Sequence, residues 1–177
     1  MTVLGNKDVP VLAGTKAIVS GRKEKDRLEQ QGFGERKEKC LVLDLYEALY
    51  LVERGKLKVD SLQGKRLSEK SLLATGLQSD KGFYENFAVF SDLRQKGYVV
   101  KTGFKFGCTF RVYPKGKNPG QEHTLWTVNV CSQNAKKSMS ELSRISRLAQ
   151  NLHTKALLAV VDSEDKVNYY TIYRIVP

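Results

Sequence analysis

The chain has 177 residues and a hydrophobic content of 41%, which allows one packed domain or two small ones. It contains no run of about 18 apolar residues and no basic-then-apolar signal pattern, which argues against a membrane or secreted protein and predicts a cytoplasmic location. The net charge of +11 favours a polyanionic partner, bound through phosphate contacts and counterion release. After Lys81 there are 14 basic and 7 acidic residues, so the second half holds most of the excess.

The cysteine pattern predicts no metal site. The three cysteines are odd in number, far apart in sequence, and have no CxxC spacing or nearby histidine: Cys40, Cys108 and Cys131. We interpret them as small core residues and predict neither a metal nor a cofactor.

Residues 1–80 are predicted to form a small α+β domain with a structural role. Asp44, with Glu47 three residues later, matches a capping box at the start of an amphipathic helix. The predicted elements, in chain order, are a strand Lys16–Ser20, a charged helix or turn over 21–31, a strand Cys40–Leu43, the helix after Asp44, an extended piece Leu57–Val59 and a helix Ser68–Thr75.

Turn-forming residues cluster at Gln78–Gly82, which predicts a domain boundary after residue 80 and a second domain over 81–177. The helix that follows places Phe83, Phe87 and Phe90 at helical spacing. A one-sided aromatic stripe is what burial requires, so we interpret it as core rather than as a surface for stacking nucleic-acid bases.

The stretch from Gly97 to His123 contains the strongest candidates for catalysis. A valine pair predicts a short buried strand, and the alternation over Thr109–Tyr113 predicts a second strand that ends at Tyr113. The basic loop 114–120 then leads to His123 at the edge of the next strand. An imidazole can give a proton to a leaving alkoxide, so this arrangement suits acid and base chemistry on a phosphodiester. For Tyr113, packing at a strand end is the alternative.

The remainder of the chain is predicted to add one helix and three strands. Ser138 and Glu141 form a capping box for a helix that continues to Leu152. Arg144 and Arg147 project from this helix and suit RNA, because a guanidinium grips phosphate and stacks on unpaired bases; a solvated helix face is the alternative. The predicted strands are Leu125–Val130, Ala156–Val161 and Val167–Val176, with a polar turn over 131–137 and a hairpin tip over 162–166.

The run RQKGYVVKTGFKFGCTFRVYPKG is followed by EH ten residues after Tyr113, and then by RLAQNLHTKALLAVVD and VNYY. This combined pattern resembles the archaeal tRNA-splicing endonucleases over most of residues 83–177, and more weakly over 32–59. The resemblance implies an α+β fold in which the small N-terminal α+β domain precedes a mixed α/β nuclease domain with helices packed on a central sheet.

The resemblance also implies metal-independent cleavage of intron-containing pre-tRNA at a bulge-helix-bulge, which leaves a 2′,3′-cyclic phosphate and a 5′-hydroxyl. Tyr113 corresponds to the general base on the ribose 2′-hydroxyl and His123 to the general acid on the leaving 5′-oxygen. Arg147 matches the arginine that grips the bulged base, and Lys115 and Lys117 in the basic loop are predicted to bind RNA. A lysine is expected to stabilise the developing phosphorane.

The position of that lysine departs from the family pattern. Aligned without gaps between Arg147 and Asp162, the family's lysine column falls on Thr154, and Lys155 stands one place later. A one-residue step in an extended segment turns the side chain to the opposite face. We assign the cationic role to Lys155, on the expectation that the helix-to-strand junction absorbs one residue of register. A solvated lysine in a catalytically impaired chain is the alternative.

The hairpin tip is the most acidic spot of the second half, with Asp162, Glu164 and Asp165. The matching loop in the family inserts into a basic cleft of a neighbouring subunit, which predicts a homo-oligomer or a hetero-oligomer with a related subunit; an ordinary solvated turn is the alternative. The function predicted is an RNA endonuclease acting on pre-tRNA. The alternatives are a non-catalytic structural subunit of the same assembly, or a basic RNA-binding module without chemistry.

Overall fold

A computed structural model describes residues 9–117, 120, 122–175 and 177 of the chain. The chain divides into two compact units, Met1–Tyr84 and Glu85–Pro177. The domain boundary expected after residue 80 stays a prediction. None of the helices in the described part has the length and apolar character needed to cross a membrane.

The first unit is an α+β unit with one mixed sheet. Its elements are β1 (Val11–Ala13), β2 (Lys16–Val19), α1 (Arg22–Gln30), β3 (Glu35–Lys37), β4 (Cys40–Asp44), α2 (Leu45–Glu53), β5 (Asp60–Ser61) and α3 (Glu69–Ser79). The strand order is β3-β4-β2-β1-β5. Neighbouring strands are antiparallel except for β1 and β5, which are parallel.

Helix α2 is almost entirely buried, and the capping box predicted at its start is present. The Glu47 carboxylate accepts hydrogen bonds from the backbone N–H groups of Asp44 and Gly34, both at 2.9 Å. These two donors compensate the cost of burying a charged group that is only 3% exposed. The same side chain therefore caps α2 and fixes the loop that precedes β3.

Helix α3 packs closely against an aromatic ring, which yields a stability prediction. A Cβ on Gly76 would lie 2.4 Å from the Phe83 ring, and that ring stacks on Tyr46 with 4.6 Å between centroids. We expect Gly76→Ala to lower the free energy of unfolding by about 1–2 kcal/mol, because overpacking costs more than the gain in helix propensity. Urea unfolding measures this difference. Gln78→Ala, at an exposed position of the same helix, is the control, and equal midpoints for the two variants would contradict the close contact.

The second unit contains a five-stranded sheet with the order β10-β9-β8-β7-β6. Its pairs are antiparallel except for β8 and β9, which are parallel and joined through helix α5. The elements are α4 (Phe83–Gln95, whose first two residues belong to the first unit), β6 (Val99–Thr102), a 3-10 turn (Phe104–Phe106), β7 (Phe110–Tyr113), β8 (Trp126–Ser132), α5 (Met139–Asn151), β9 (Lys155–Val161) and β10 (Val167–Ile172).

The sheet of the second unit lies between two helices. On one face, Phe90 of α4 packs against Phe110 with 5.9 Å between ring centroids, and the Tyr169 hydroxyl donates to the Asp92 carboxylate of α4 at 2.6 Å. On the other face, α5 forms an apolar cluster with β9 and β10: Ile145, Ala149, Ala156 and Ile172. The predicted α+β fold with helices packed on a central sheet is confirmed.

The aromatic stripe at the start of α4 is core, as predicted. Phe83, Phe87 and Phe90 are no more than 9% exposed.

The core interpretation of the cysteines is right for Cys108, which is 3% exposed and donates to the Gly103 carbonyl at 3.6 Å. Burial raises the pKa of the Cys108 thiol to about 11. The other two cysteines are only partly buried, and all three are free thiols.

Four short elements were not predicted: β1, β3, β5 and the 3-10 turn. Helix α3 ends at Ser79 instead of the predicted Thr75. Strands β1 and β3 have three residues each, too few to show a period, and the 3-10 turn has no sequence signature of its own. Strand β8 continues into the predicted polar turn because Ser132 pairs with Val161. The extended piece Leu57–Val59 is not a strand; β5 follows it. The predicted last strand Val167–Val176 is too long, because β10 ends at Ile172 and the described residues 173–175 are not in a strand; Val176 itself lies outside the described residues.

Candidate active site

Two of the predicted catalytic residues, Tyr113 and Lys155, lie at the same end of the second unit's sheet, on different strands. Val112 pairs with Trp126, and Trp126 pairs with Lys155. Tyr113 is the last residue of β7, and Lys155 is the first of β9. Neighbouring strands are about 4.8 Å apart, so the main chains of β7 and β9 are separated by roughly 10 Å at this end.

Tyr113 lies on the face of the sheet that also carries Arg111. It is 4% exposed, and the Arg111 guanidinium carbon is 5.9 Å from the centroid of its ring. Side chains alternate along a strand, so residues two apart share a face. Sequence analysis missed Arg111 as a neighbour of the candidate base, although the F-R-V-Y alternation contains this signal.

His123 is exposed and lies three residues before the start of β8. Beside it, the Glu122 carboxylate is 3.6 Å from the Lys117 ammonium group, which partly offsets the charge of one predicted RNA contact. The other, Lys115, is exposed, with its ammonium group 5.3 Å from the centroid of the Tyr98 ring. Asn118, Pro119 and Gln121 of the predicted basic loop region lie outside the described residues.

Thr154, which stands in the family's lysine column, and Lys155, one place later, have different environments. The Thr154 hydroxyl donates to the Leu125 carbonyl at 2.7 Å, and the preceding His153 adopts a left-handed backbone with φ of 51°. Lys155 is exposed and shares the face of its partner Trp126. Because Val112 is on that face and Tyr113 follows it, Lys155 and Tyr113 begin on opposite faces at the same end of the sheet.

Arg147 is exposed on α5, whose inner side is formed by Ile145 and Ala149. The next residue, Leu148, packs beside the end of the 3-10 turn, since a Cβ on Gly107 would lie 3.7 Å from its Cδ2 atom. The predicted base-gripping arginine is therefore on the helix that borders this turn.

The acidic hairpin tip has one structural and two exposed carboxylates. Asp162 Oδ1 accepts from the backbone N–H groups of Glu164 and Lys166, both at 2.9 Å, and so stabilises the turn. Glu164 is paired with Lys166 at 2.6 Å. Asp165 is exposed, with φ of 61°. The three acidic residues thus lie together, but Asp162 is also needed for the turn itself.

Comparison with known proteins finds both domains of one family in this chain. A family model described as tRNA intron endonuclease, N-terminal domain, matches residues 10–73. A second model, tRNA intron endonuclease, catalytic C-terminal domain, matches residues 83–169.

Several archaeal proteins named tRNA-splicing endonuclease are similar over most of their length. The protein of Methanothermobacter thermautotrophicus is 38% identical over 145 residues, which are 82% of this chain and 84% of that protein. Those of Thermococcus onnurineus and Pyrococcus furiosus are 38% and 37% identical, over 91% of this chain and 92% of theirs. With both domain models matched in order and relatives that align over nearly the whole chain, the protein belongs to the tRNA intron endonuclease family.

Proposed function

We propose that this chain cleaves intron-containing pre-tRNA at the intron borders, within a bulge-helix-bulge, by metal-independent transfer of the phosphodiester to the neighbouring ribose 2′-hydroxyl. The catalytic domain of its family spans residues 83–169, and its relatives are named tRNA-splicing endonucleases. The observation that carries the proposal is that Tyr113 and Lys155 lie at one end of the sheet in that domain, with His123 three residues before the strand between them. The same proposal places the reaction in the cytoplasm.

The proposed reaction has two proton transfers. Tyr113 accepts the proton of the 2′-hydroxyl while the 2′-oxygen bonds to phosphorus, which forms a phosphorane. The bond from phosphorus to the 5′-oxygen then breaks, and His123 gives its proton to that oxygen. The products are a 2′,3′-cyclic phosphate and a 5′-hydroxyl. In this scheme Lys155 stabilises the added negative charge of the phosphorane.

Incubation of the purified full chain with a bulge-helix-bulge RNA in EDTA tests this function. We expect two cuts in the bulges. The cyclic phosphate ends should resist phosphatase until acid opens the ring, and the 5′-hydroxyl ends should accept phosphate from a kinase. A chain that cuts only after Mg²⁺ is added would contradict the metal-independent mechanism. A chain that binds the RNA without cutting it would contradict catalysis by this chain alone.

One observation favours a second candidate, a structural subunit that acts beside a related catalytic chain. The family's lysine column is occupied by Thr154, whose hydroxyl is bonded to the Leu125 carbonyl, and Lys155 starts on the face opposite Tyr113. On this hypothesis the pure chain binds bulged RNA and cleavage appears only when the related subunit is added. Cleavage by the pure chain would exclude it.

Arg147 is proposed to bind the bulge, and its contribution can be measured. We expect Arg147→Ala to raise KM about tenfold, with little change in the rate at saturating RNA, because a charged contact to unpaired RNA is lost while the reacting groups stay. Arg22→Ala, an exposed arginine of α1 in the first unit, is the control for the loss of one positive charge. Equal KM values for the two variants would contradict a specific role of Arg147.

The oligomer is proposed to depend on the acidic tip, with Glu164 and Asp165 facing a basic cleft of a second subunit. We expect Glu164→Gln with Asp165→Asn to lower the mass measured by light scattering, because both exposed charges are lost while Asp162 still stabilises the turn. Glu35→Gln, an exposed acid of β3, is the control. An unchanged mass for the double variant would identify the tip as an ordinary solvated turn.

A further inference from the structure

The 3-10 turn presents two exposed aromatic side chains near the candidate active site. Phe104 is 57% exposed and Phe106 is 44% exposed, with Lys105 between them. Phenylalanine is usually buried, because its ring removes a large apolar area from water when it packs. Two such rings on one three-residue turn therefore form a surface that a flat apolar ligand can cover.

A guanidinium group lies behind one of these rings. The Arg111 guanidinium carbon is 4.2 Å from the centroid of the Phe106 ring, and its other aromatic contact is Tyr113. Arg111 Nε is buried and has no hydrogen-bond partner within the described residues. The Phe106 ring is thus covered by a cation on one side and remains partly exposed to solvent. Arg111 contacts both this ring and the ring of Tyr113, the candidate base.

The turn is held rigidly by its own backbone. Phe106 N–H donates to the Gly103 carbonyl at 2.8 Å, and Gly107 N–H donates to the Phe104 carbonyl at 3.1 Å. Gly107 has φ of +79°, and a Cβ on Gly103 would lie 2.4 Å from the Cys108 sulfur, so both flanking glycines are required. Because the backbone of the turn is already ordered, stacking of a ligand costs only the freedom of the ring itself.

The geometry points to an RNA-binding role for this turn: we propose that Phe106, backed by Arg111, stacks on an unpaired base of the substrate next to the cleaved bond. The turn borders α5 beside Leu148, which follows the predicted base-gripping Arg147. A nucleobase fits a cation-backed ring because every base has a flat π face, and the basic chain attracts the attached phosphates. The inference rests on the proposed function, since it needs an RNA with unpaired bases.

The test uses the full chain and a bulge-helix-bulge RNA with 2-aminopurine in one bulge and a 2′-deoxy sugar at the cut site, so that the RNA stays intact. We expect the parent protein to quench the fluorescence by stacking. Phe106→Leu keeps an apolar side chain without the π face, and we expect about tenfold weaker binding and loss of the quenching. Phe106→Tyr should restore both. Tyr170→Leu, which removes an exposed ring from β10 at the opposite edge of the sheet, is the control.

Binding and quenching by Phe106→Leu at the parental level would overturn the inference, even if the chain cleaves pre-tRNA. A fall in oligomer mass for Phe106→Leu would also overturn it, because the ring would then belong to an interface between copies of the chain. Quenching by a parent chain that cannot cleave supports the inference while contradicting catalysis by this chain. Failure of the parent to bind bulged RNA overturns both.

Discussion

Replacement of His123 by alanine is expected to lower the single-turnover cleavage rate by about a hundred- to ten-thousand-fold, the usual contribution of a positioned acid. The 5′-oxygen leaves as an alkoxide, and without the imidazole we expect its proton to come from water, which is a much weaker acid. RNA binding should change little, because His123 is exposed and the basic residues of the loop remain. The measurement is cleavage of pre-formed enzyme–RNA complex, followed with time at saturating enzyme.

The chain supplies its own control for this experiment, since it contains only two histidines. His153 is exposed at the junction between α5 and β9 in a left-handed conformation, which asparagine also adopts. We therefore expect His153→Asn to cleave at nearly the parental rate. Parental cleavage by His123→Ala would show that another group is the acid, and equal losses in both variants would indicate a general effect on folding.

Replacement of Lys155 by alanine is expected to lower the cleavage rate by about a hundred- to a thousand-fold, because one stabilising group of the charged transition state is removed. Lys155 is exposed at the start of β9, so folding should be little affected. Single-turnover kinetics measures the cleavage rate, and thermal unfolding shows whether the variant is folded. Lys136→Ala, an exposed lysine in the turn before α5, is the control for the loss of one positive charge.

The companion variant Thr154→Lys separates the two hypotheses about this chain. It moves a lysine into the family's column and removes the hydrogen bond to the Leu125 carbonyl. If Lys155 is the catalytic cation, we expect no gain in rate. A large gain in Thr154→Lys, together with no loss in Lys155→Ala, would show that the chain lacks this group and serves as the structural partner.

Elements with a repeating pattern or a capping box could be predicted from the sequence, because the signal is local. Both boxes are present, at Asp44 with Glu47 and at Ser138 with Glu141, and the helices after them begin where predicted. Strand β3 could not be predicted, because all three of its residues are charged and exposed. Its formation depends on backbone pairing with β4, a contact that its own side chains do not signal.

The sequence could indicate which residues are candidates for the site, but not how their side chains are arranged on the sheet. Tyr113, His123 and Lys155 could be named from spacing and resemblance alone. The face that each one occupies depends on strand register, and the pairing of Trp126 with both Val112 and Lys155 joins segments far apart in sequence. For the same reason the contacts of Arg111 with Phe106 and Tyr113 appeared only in the folded chain.

The buried thiol of Cys108 provides a built-in reporter of local opening. Alkylating reagents attack the thiolate, and a pKa of about 11 together with 3% exposure keeps Cys108 protonated and inaccessible at neutral pH. Modification of this residue therefore requires the segment between the 3-10 turn and β7 to separate transiently from its surroundings. Its labelling rate, measured by mass spectrometry, gives the free energy of that separation in the untreated protein. If the turn stacks on RNA, bound substrate should slow the labelling, without any substituted residue or attached dye.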